Sequence, residues 1–203
     1  MQTSELALEM ADYRPDPGEI TGVLRAARAG DSVAFGDLIR MHERLVLRTA
    51  LRLLGNLADA QDAAQDVFLR LYQHLGRFDE VRQFKPWLYR VTVNVCRDAQ
   101  RKQTRMMVSL DHLRATTGFE QAEDAPDPEA ALGASERRRL LREGLAMLSN
   151  REREAFVLRD LEGVSTRDVA RALGTREVTV RSQIAMARVK LKKFAGRRTR
   201  RRP

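Results

Sequence analysis

Arg90, Asn94, Arg97, Arg101 and Arg105 follow one another at steps of four, three, four and four residues. At 100° per residue that spacing puts them on one stripe of a helix. A cationic stripe without an acid in it suits the binding of phosphates. The plainer alternative is an ordinary surface helix, and Leu88, Val91, Val95 and Ala99 do supply an opposite, apolar side. Just ahead of the stripe, Phe78, Phe84, Trp87 and Tyr89 place four of the chain's eleven aromatics within twelve residues. Aromatics beside cations suit stacking on unpaired bases; core packing is the competing use.

A second cationic run lies near the end of the chain. Arg188, Lys190, Lys192, Lys193, Arg197, Arg198, Arg200, Arg201 and Arg202 put nine cations in fifteen residues, a density suited to phosphates more than to base identity. The alternative is a solvated face with a frayed basic tail. The run follows a short helix predicted from Ser165 to Leu173, a turn at Gly174, and a longer helix from about Arg176 to Phe194. That order reads as a helix-turn-helix, with Val169, Leu173, Val178, Val180 and Ile184 as its core and Ala170 small enough for close approach. In such a motif the second helix enters the major groove. Its exposed positions are predicted to include Arg176, Glu177, Arg181, Ser182, Ala185 and Met186. Arg181 can reach guanine with two hydrogen bonds, whereas Ala185 and Met186 offer a thymine methyl only apolar contact.

Other chemistries find no residues. His42, His74, His112 and Cys96 lie in different elements without a paired ligand spacing, so no metal site is expected. There is no phosphate-binding Gly-x-x-x-x-Gly-Lys loop and no nucleophile elbow, and neither an enzymatic activity nor a cofactor is expected. Cys96 is expected to be packed inside, not redox-active.

The elements that position these residues are helical. Alternating strand patterns bounded by hairpin turns are missing, so the expected class is all-α. Helices are predicted over Ile20–Ala29, from Asp31 or Ser32 to Leu54 with Leu38, Met41, Leu45, Leu51 and Leu54 near one face, over Ala58–Leu75, and from Pro86 to Arg105. Gly30, Gly55 and Gly76 end the first three. These four should pack as a bundle. Further on, Glu136–Leu148 and Asn150–Leu161 precede the helix-turn-helix, and Ser149 with Glu152 fits the capping-box spacing.

The charge supports two units. The chain has 203 residues and a net charge of +9. Residues 1–108 carry +2, 109–136 carry −6 and 137–203 carry +13, an asymmetry that directs the second unit to a polyanion. Pro126 and Pro128 lie in the acidic stretch, which reads as a flexible linker. The resulting division is a tail at 1–19, a bundle at 20–105, a linker at 106–135, a helix-turn-helix unit at 136–194 and a basic tail at 195–203. A single cysteine argues for a reducing compartment. The acidic start is unlike a signal peptide, and no stretch approaches the roughly 20 apolar residues of a membrane helix. A cytoplasmic protein without membrane insertion is expected.

Three segments resemble one family. Asp59-Ala-Gln-Asp-Ala-Ala-Gln-Asp-Val-Phe-Leu-Arg-Leu-Tyr72 is similar to the core-polymerase-binding segment of bacterial RNA polymerase sigma factors. Phe84-Lys-Pro-Trp-Leu-Tyr-Arg-Val-Thr-Val-Asn-Val-Cys-Arg-Asp98 resembles their promoter-melting, minus-ten-reading helix. Leu148-Ser-Asn-Arg-Glu-Arg-Glu-Ala-Phe-Val-Leu-Arg-Asp160, with the helix-turn-helix and Thr179-Val-Arg-Ser182, resembles the domain that reads the minus-thirty-five element. Two such domains joined by a linker resemble the extracytoplasmic-function group of the sigma-70 family, over roughly residues 20–194.

The resemblance implies a four-helix region 2 bundle and a winged-helix-like region 4, with core RNA polymerase, promoter DNA and an anti-sigma protein as partners. It implies polymerase binding through Asp62, Gln65, Asp66, Phe68 and Leu69, with Tyr72 nearby. Asp62, Gln65 and Asp66 share one helix face; a helix-start acid cluster favoured by the macrodipole is the alternative. Minus-ten DNA would fall to Phe78, Lys85, Trp87, Arg90, Asn94, Arg97 and Arg101. The loop Arg77–Lys85 would hold a flipped base, melting being driven by binding energy. Minus-thirty-five DNA would meet Arg176, Thr179, Arg181, Ser182, Gln183, Met186, Arg188 and Lys190. The chain departs from the family pattern at Gln183, Ala185 and Met186, often basic or aromatic there, and at Ala63-Ala64, whose small size is expected to thin the polymerase contact. A stand-alone helix-turn-helix regulator with a dimerisation or sensor bundle is the competing function.

Overall fold

The computed structural model describes residues 17–77, 84–111 and 131–199; Phe78 and the segment 112–130 fall outside it. Every regular element among the described residues is helical. The first unit holds α1 (Pro17–Arg28), α2 (Ser32–Leu54), α3 (Leu57–His74), a short 3-10 turn (Leu75–Arg77) and α4 (Phe84–Asp111). Asp31 caps α2, its carboxylate accepting from the Val33 and Ala34 amides at 2.8 and 3.1 Å. Gly55 ends that helix at φ 89°, a left-handed position that only glycine occupies cheaply.

The bundle core gathers Leu38, Val46, Ala50 and Leu53 of α2, Ala60, Ala63, Val67 and Leu71 of α3, and Leu88, Val93 and Val95 of α4. The inner face of α2 is rotated from the expected one. Leu38, His42, Val46, Thr49 and Leu53 are buried, while Met41, Leu45, Leu51 and Leu54 are only half-buried. The reason is that α2 packs against α1, α3 and α4 at once, so the inner face is centred between the apolar rows.

The second unit holds α5 (Ala131–Ala146), α6 (Asn150–Phe156) with a π-helical last turn (Val157–Leu161), α7 (Thr166–Leu173) and α8 (Glu177–Thr199). The capping box forms as expected: the Glu152 amide donates to Ser149 Oγ and the Ser149 amide to Glu152 Oε2, at 3.4 and 2.8 Å. Gly144 brings α5 close to α8, since a Cβ there would lie 3.1 Å from Leu191 Cδ2. Ser165 caps α7 and Gly174 turns the chain at φ 66° into α8. Of the expected helix-turn-helix core, Val169, Leu173, Val180 and Ile184 are buried and Ala187 joins them, but Val178 is 65% exposed. Two residues are 200° of helix, so Val178 and Val180 cannot share a face.

Two helices run further than their periodicity indicates. The helix expected to stop at Arg105 reaches Asp111, and the one expected from Glu136 starts at Ala131. The helices therefore enter the expected linker at both ends.

Candidate nucleic-acid and partner interfaces

On α4, Lys85, Arg90, Asn94, Arg101 and Arg105 are exposed, as the stripe requires. Leu88 and Val95 are buried on the opposite side, with Val91 and Ala99 half-buried. The aromatics divide. Phe84 and Tyr89 are core residues. Trp87 stays half-buried, its ring centroid 5.9 Å from that of Phe84. Cys96 is buried, as expected; burial, with the Glu154 charge second, pushes its thiol up to about 12. Arg97 is the exception within the stripe. It is half-buried and donates through Nε and Nη2 to both Glu154 oxygens, at 2.7 and 2.6 Å. That hydrogen-bonded carboxylate raises the pKa of its guanidinium.

A different face forms on α3. Asp62, Gln65 and Asp66 are exposed together with Leu69, at 55%, and Tyr72, at 66%. Phe68 is half-buried and packs against the core. Tyr72 stands edge-on to Phe35 with centroids 5.1 Å apart. Exposed apolar groups beside carboxylates form a surface suited to a basic protein partner. Ala63 is buried and Ala64 half-buried, so their small size shapes the packing inside the bundle.

Arg176, just before α8, and Arg181, Ser182, Ala185 and Met186 on it are exposed as expected, while Glu177 and Thr179 are half-buried. Arg181 Nη2 donates to Glu177 Oε2 at 2.9 Å, one turn away. Gln183 turns away from the others; it is half-buried and lines a cleft toward α4. Arg188 and Lys190 are tied to neighbouring segments. Arg188 donates twice to Asp160 at 2.8 Å, and Lys190 donates to Glu152 at 2.7 Å. Burial works to raise the Glu152 carboxyl, but Lys190 and Ser149 outweigh it and hold its pKa below the usual value. These two cations fix α8 against α6 and its π-turn.

The structure also brings the two units into contact, which spacing alone does not announce. Glu162 stands at the C-cap of the π-turn, against α2. Its carboxylate accepts from Arg48 Nε and Nη2 at 3.2 and 2.6 Å, from Arg52, and from the Tyr89 hydroxyl at 3.4 Å. Arg153 Nη1 donates to the Leu53 carbonyl at 3.0 Å, and its other nitrogens to the carbonyls of Leu145 and Leu148. One guanidinium thus closes the C-terminal ends of helices from both units. Between the units lies a cleft of about 550 Å³, walled by Arg97, Arg101 and Arg105 on one side and Arg151, Thr175 and Gln183 on the other. Glu154, Glu162, Arg48 and Arg52 escape sequence reasoning because single charges on amphipathic helices look the same whether they meet water or another unit. Among the described residues there is no cluster of metal-ligating side chains, and no helix is long and apolar enough to cross a membrane.

Both units match known families. The family model for sigma-70 region 2 matches residues 38–106, and that for sigma-70 region 4 matches residues 138–191. The chain is 33% identical to the RNA polymerase sigma factor NccH of Alcaligenes xylosoxydans xylosoxydans, covering 87% of this chain and 94% of that one. It is 32% identical to the ECF RNA polymerase sigma factor SigE of Mycolicibacterium smegmatis, over 92% of this chain and 72% of the relative. Among solved structures it is similar to CnrH in complex with the cytosolic domain of CnrY. That similarity has a TM-score of 0.64 and 26% identity, and covers 87% of this chain and 96% of CnrH.

Proposed function

The chain belongs to the sigma-70 family of bacterial RNA polymerase sigma factors, in its extracytoplasmic-function group, and from that premise we propose how its surfaces divide the work. It directs core RNA polymerase to promoters, region 2 serving minus-ten DNA and the helix-turn-helix of region 4 serving minus-thirty-five DNA. One observation carries this reading: both region matches fall, in order, on the two helical units. A stand-alone regulator would leave the region 2 match over residues 38–106 without a role.

Within that frame the exposed face of α3, with Asp62, Gln65, Asp66, Leu69 and Tyr72, takes the polymerase, and Phe68 supports it from beneath. Lys85, Trp87, Arg90, Asn94, Arg97 and Arg101 take minus-ten DNA, with Phe78 ahead of them in the sequence. Arg176, Arg181, Ser182 and Met186 face the minus-thirty-five groove. Thr179 and Gln183 flank it, and Arg188 and Lys190 position α8 before any phosphate is met. Melting draws on binding energy, since stacking pockets offset the few kcal/mol of unstacking a base. The role calls for no catalytic residue, cofactor or metal. The chain works in the cytoplasm, where polymerase and promoter are. An anti-sigma protein is its regulatory partner, a proposal supported by the complex in which the solved relative CnrH is found.

The test is a pull-down of purified chain with bacterial core polymerase, followed by run-off transcription over a promoter library. Binding and initiation that depend on the chain are expected. No binding, in a preparation free of co-purified inhibitor, would overturn the reading.

A further inference from the structure

The helix assigned to the minus-thirty-five groove is apolar on two sides. Its inner side buries Val180, Ile184 and Ala187 in the core of the unit. At 100° per residue, Val178, Ser182, Ala185 and Val189 fall within about 60° of one another on the opposite side, with Met186 beside them. All of these are exposed, Met186 at 52% and Val189 at 50%. Apolar side chains that continue along an exposed face and are rimmed by polar ones mark a contact surface.

The rim tells which contact. Arg181, Arg188 and Lys192 lie along one flank of the row and Lys193 along the other, all exposed. Cations on both flanks with apolar groups between them match a DNA major groove, whose walls are phosphates and whose floor is base edges. A protein partner is gripped by large aromatic anchors, and the row has none. Valine, alanine and methionine cannot answer the hydrogen-bonding edges of guanine, adenine or cytosine, but they can pack on the C5-methyl of thymine. On this side of α8 only Arg181 and Ser182 bring hydrogen bonds, and Arg181 is held by Glu177 at 2.9 Å.

We propose that this chain recognises a thymine-rich minus-thirty-five element through its methyl groups. Val178, Ala185 and Met186 pack on thymine methyls, Val189 closes the row at its far end, and Arg181 sets the register on one guanine. The proposal deepens the minus-thirty-five reading of α8 and rests on it. Cytosine in place of thymine removes the methyl and sets an amino group against apolar side chains, so discrimination has two sources.

The experiment uses holoenzyme assembled from core polymerase and the full chain, on the promoter that the run-off library identifies. Duplexes of that promoter carry either thymine or deoxyuridine at the minus-thirty-five positions, a change that removes the methyl and keeps the base pairing. Fluorescence anisotropy should show affinity falling about fourfold for each methyl lost. Deoxyuridine placed in the spacer should change nothing. In V178S/M186Q, altered only at exposed positions, the thymine and deoxyuridine duplexes should bind alike, which is the coupling that a double-variant cycle isolates. A minus-thirty-five element without thymine, or equal binding of both duplexes by the original holoenzyme, would overturn the proposal. Equal binding together with a dimer of the lone chain that V178S/M186Q dissolves, seen by sedimentation, would give the row to a second copy instead. A chain that forms no holoenzyme overturns the sigma reading and this proposal with it, whereas an initiating holoenzyme blind to the methyls overturns this proposal alone.

Discussion

His42 lies wholly inside the region 2 bundle, Nδ1 3.1 Å from the Leu38 carbonyl oxygen and the ring edge-on to Phe84 at 5.0 Å. Its Nε2 is enclosed without a partner among the described residues. Burial lowers its pKa from 6.5, the Leu38 hydrogen bond works in the opposite direction, and the Lys85 charge adds to the lowering. A neutral folded histidine and an ordinary unfolded one give a definite sign. The contribution to stability is full above about 6.5 and is lost as pH falls from there toward the folded value, because only the unfolded chain gains the proton. Urea midpoints should therefore drop between about pH 7.5 and about pH 5.5, and His42→Leu should flatten that drop; an equal drop in both proteins would remove His42 as its source. At the surface, Asp66→Arg should weaken association with core polymerase by about tenfold, or about 1.4 kcal/mol, without altering the melting temperature. Unchanged affinity in a competition assay would take Asp66 off the interface. Arg181 is paired with Glu177 before DNA arrives. Arg181→Ala should cost about 1–3 kcal/mol in discrimination at one promoter position with the fold intact, and undiminished selectivity in a promoter-library run-off would reject that groove contact.

Helices were legible where a local signal marks their ends. Asp31, Gly55, Ser149, Ser165 and Gly174 bound elements as caps or turns in the structure as their residue types predict. The far end of α4 and the start of α5 lack such a signal, and there the expected boundaries fell short by six and five residues. Faces were harder to read than ends. A single apolar row describes a helix with one neighbour, so α2, packed on three sides, and Val178, two residues before the buried Val180, were misplaced. The capping box at α6 carries a consequence of its own. Ser149 and Glu152 fix the start of a helix of only seven residues, and the same Glu152 accepts from Lys190 of α8. Ser149→Ala removes one cap acceptor and should cost about 1 kcal/mol. Melting followed by circular dichroism should show a lower midpoint with the helical signal at low temperature retained; an unshifted midpoint would mean that packing alone holds α6.

The closed arrangement sets local ion pairs against a global repulsion. Residues 1–108 carry +2 and residues 137–203 carry +13, so the units repel as whole bodies while Glu154 and Glu162 bind them at contact distance. Salt acts on both, and magnitude decides between them. Net charges spread over tens of ångströms are already largely screened at about 0.1 M, where the Debye length is about 10 Å. The pairs at 2.6–2.7 Å keep their attraction under those conditions. Raising the salt to about 1 M shortens the screening length to about 3 Å, which leaves little repulsion to relieve but favours the hydrated, separated charges over the pairs. The chain should therefore expand with salt, seen as a larger radius of gyration between about 0.1 and 1 M, whereas dominant repulsion would make it contract. E154Q/E162Q lacks these charge pairs, keeps only the repulsive part, and should stay level or contract slightly. Expansion of both proteins alike would place the salt-sensitive contact elsewhere than at these two carboxylates.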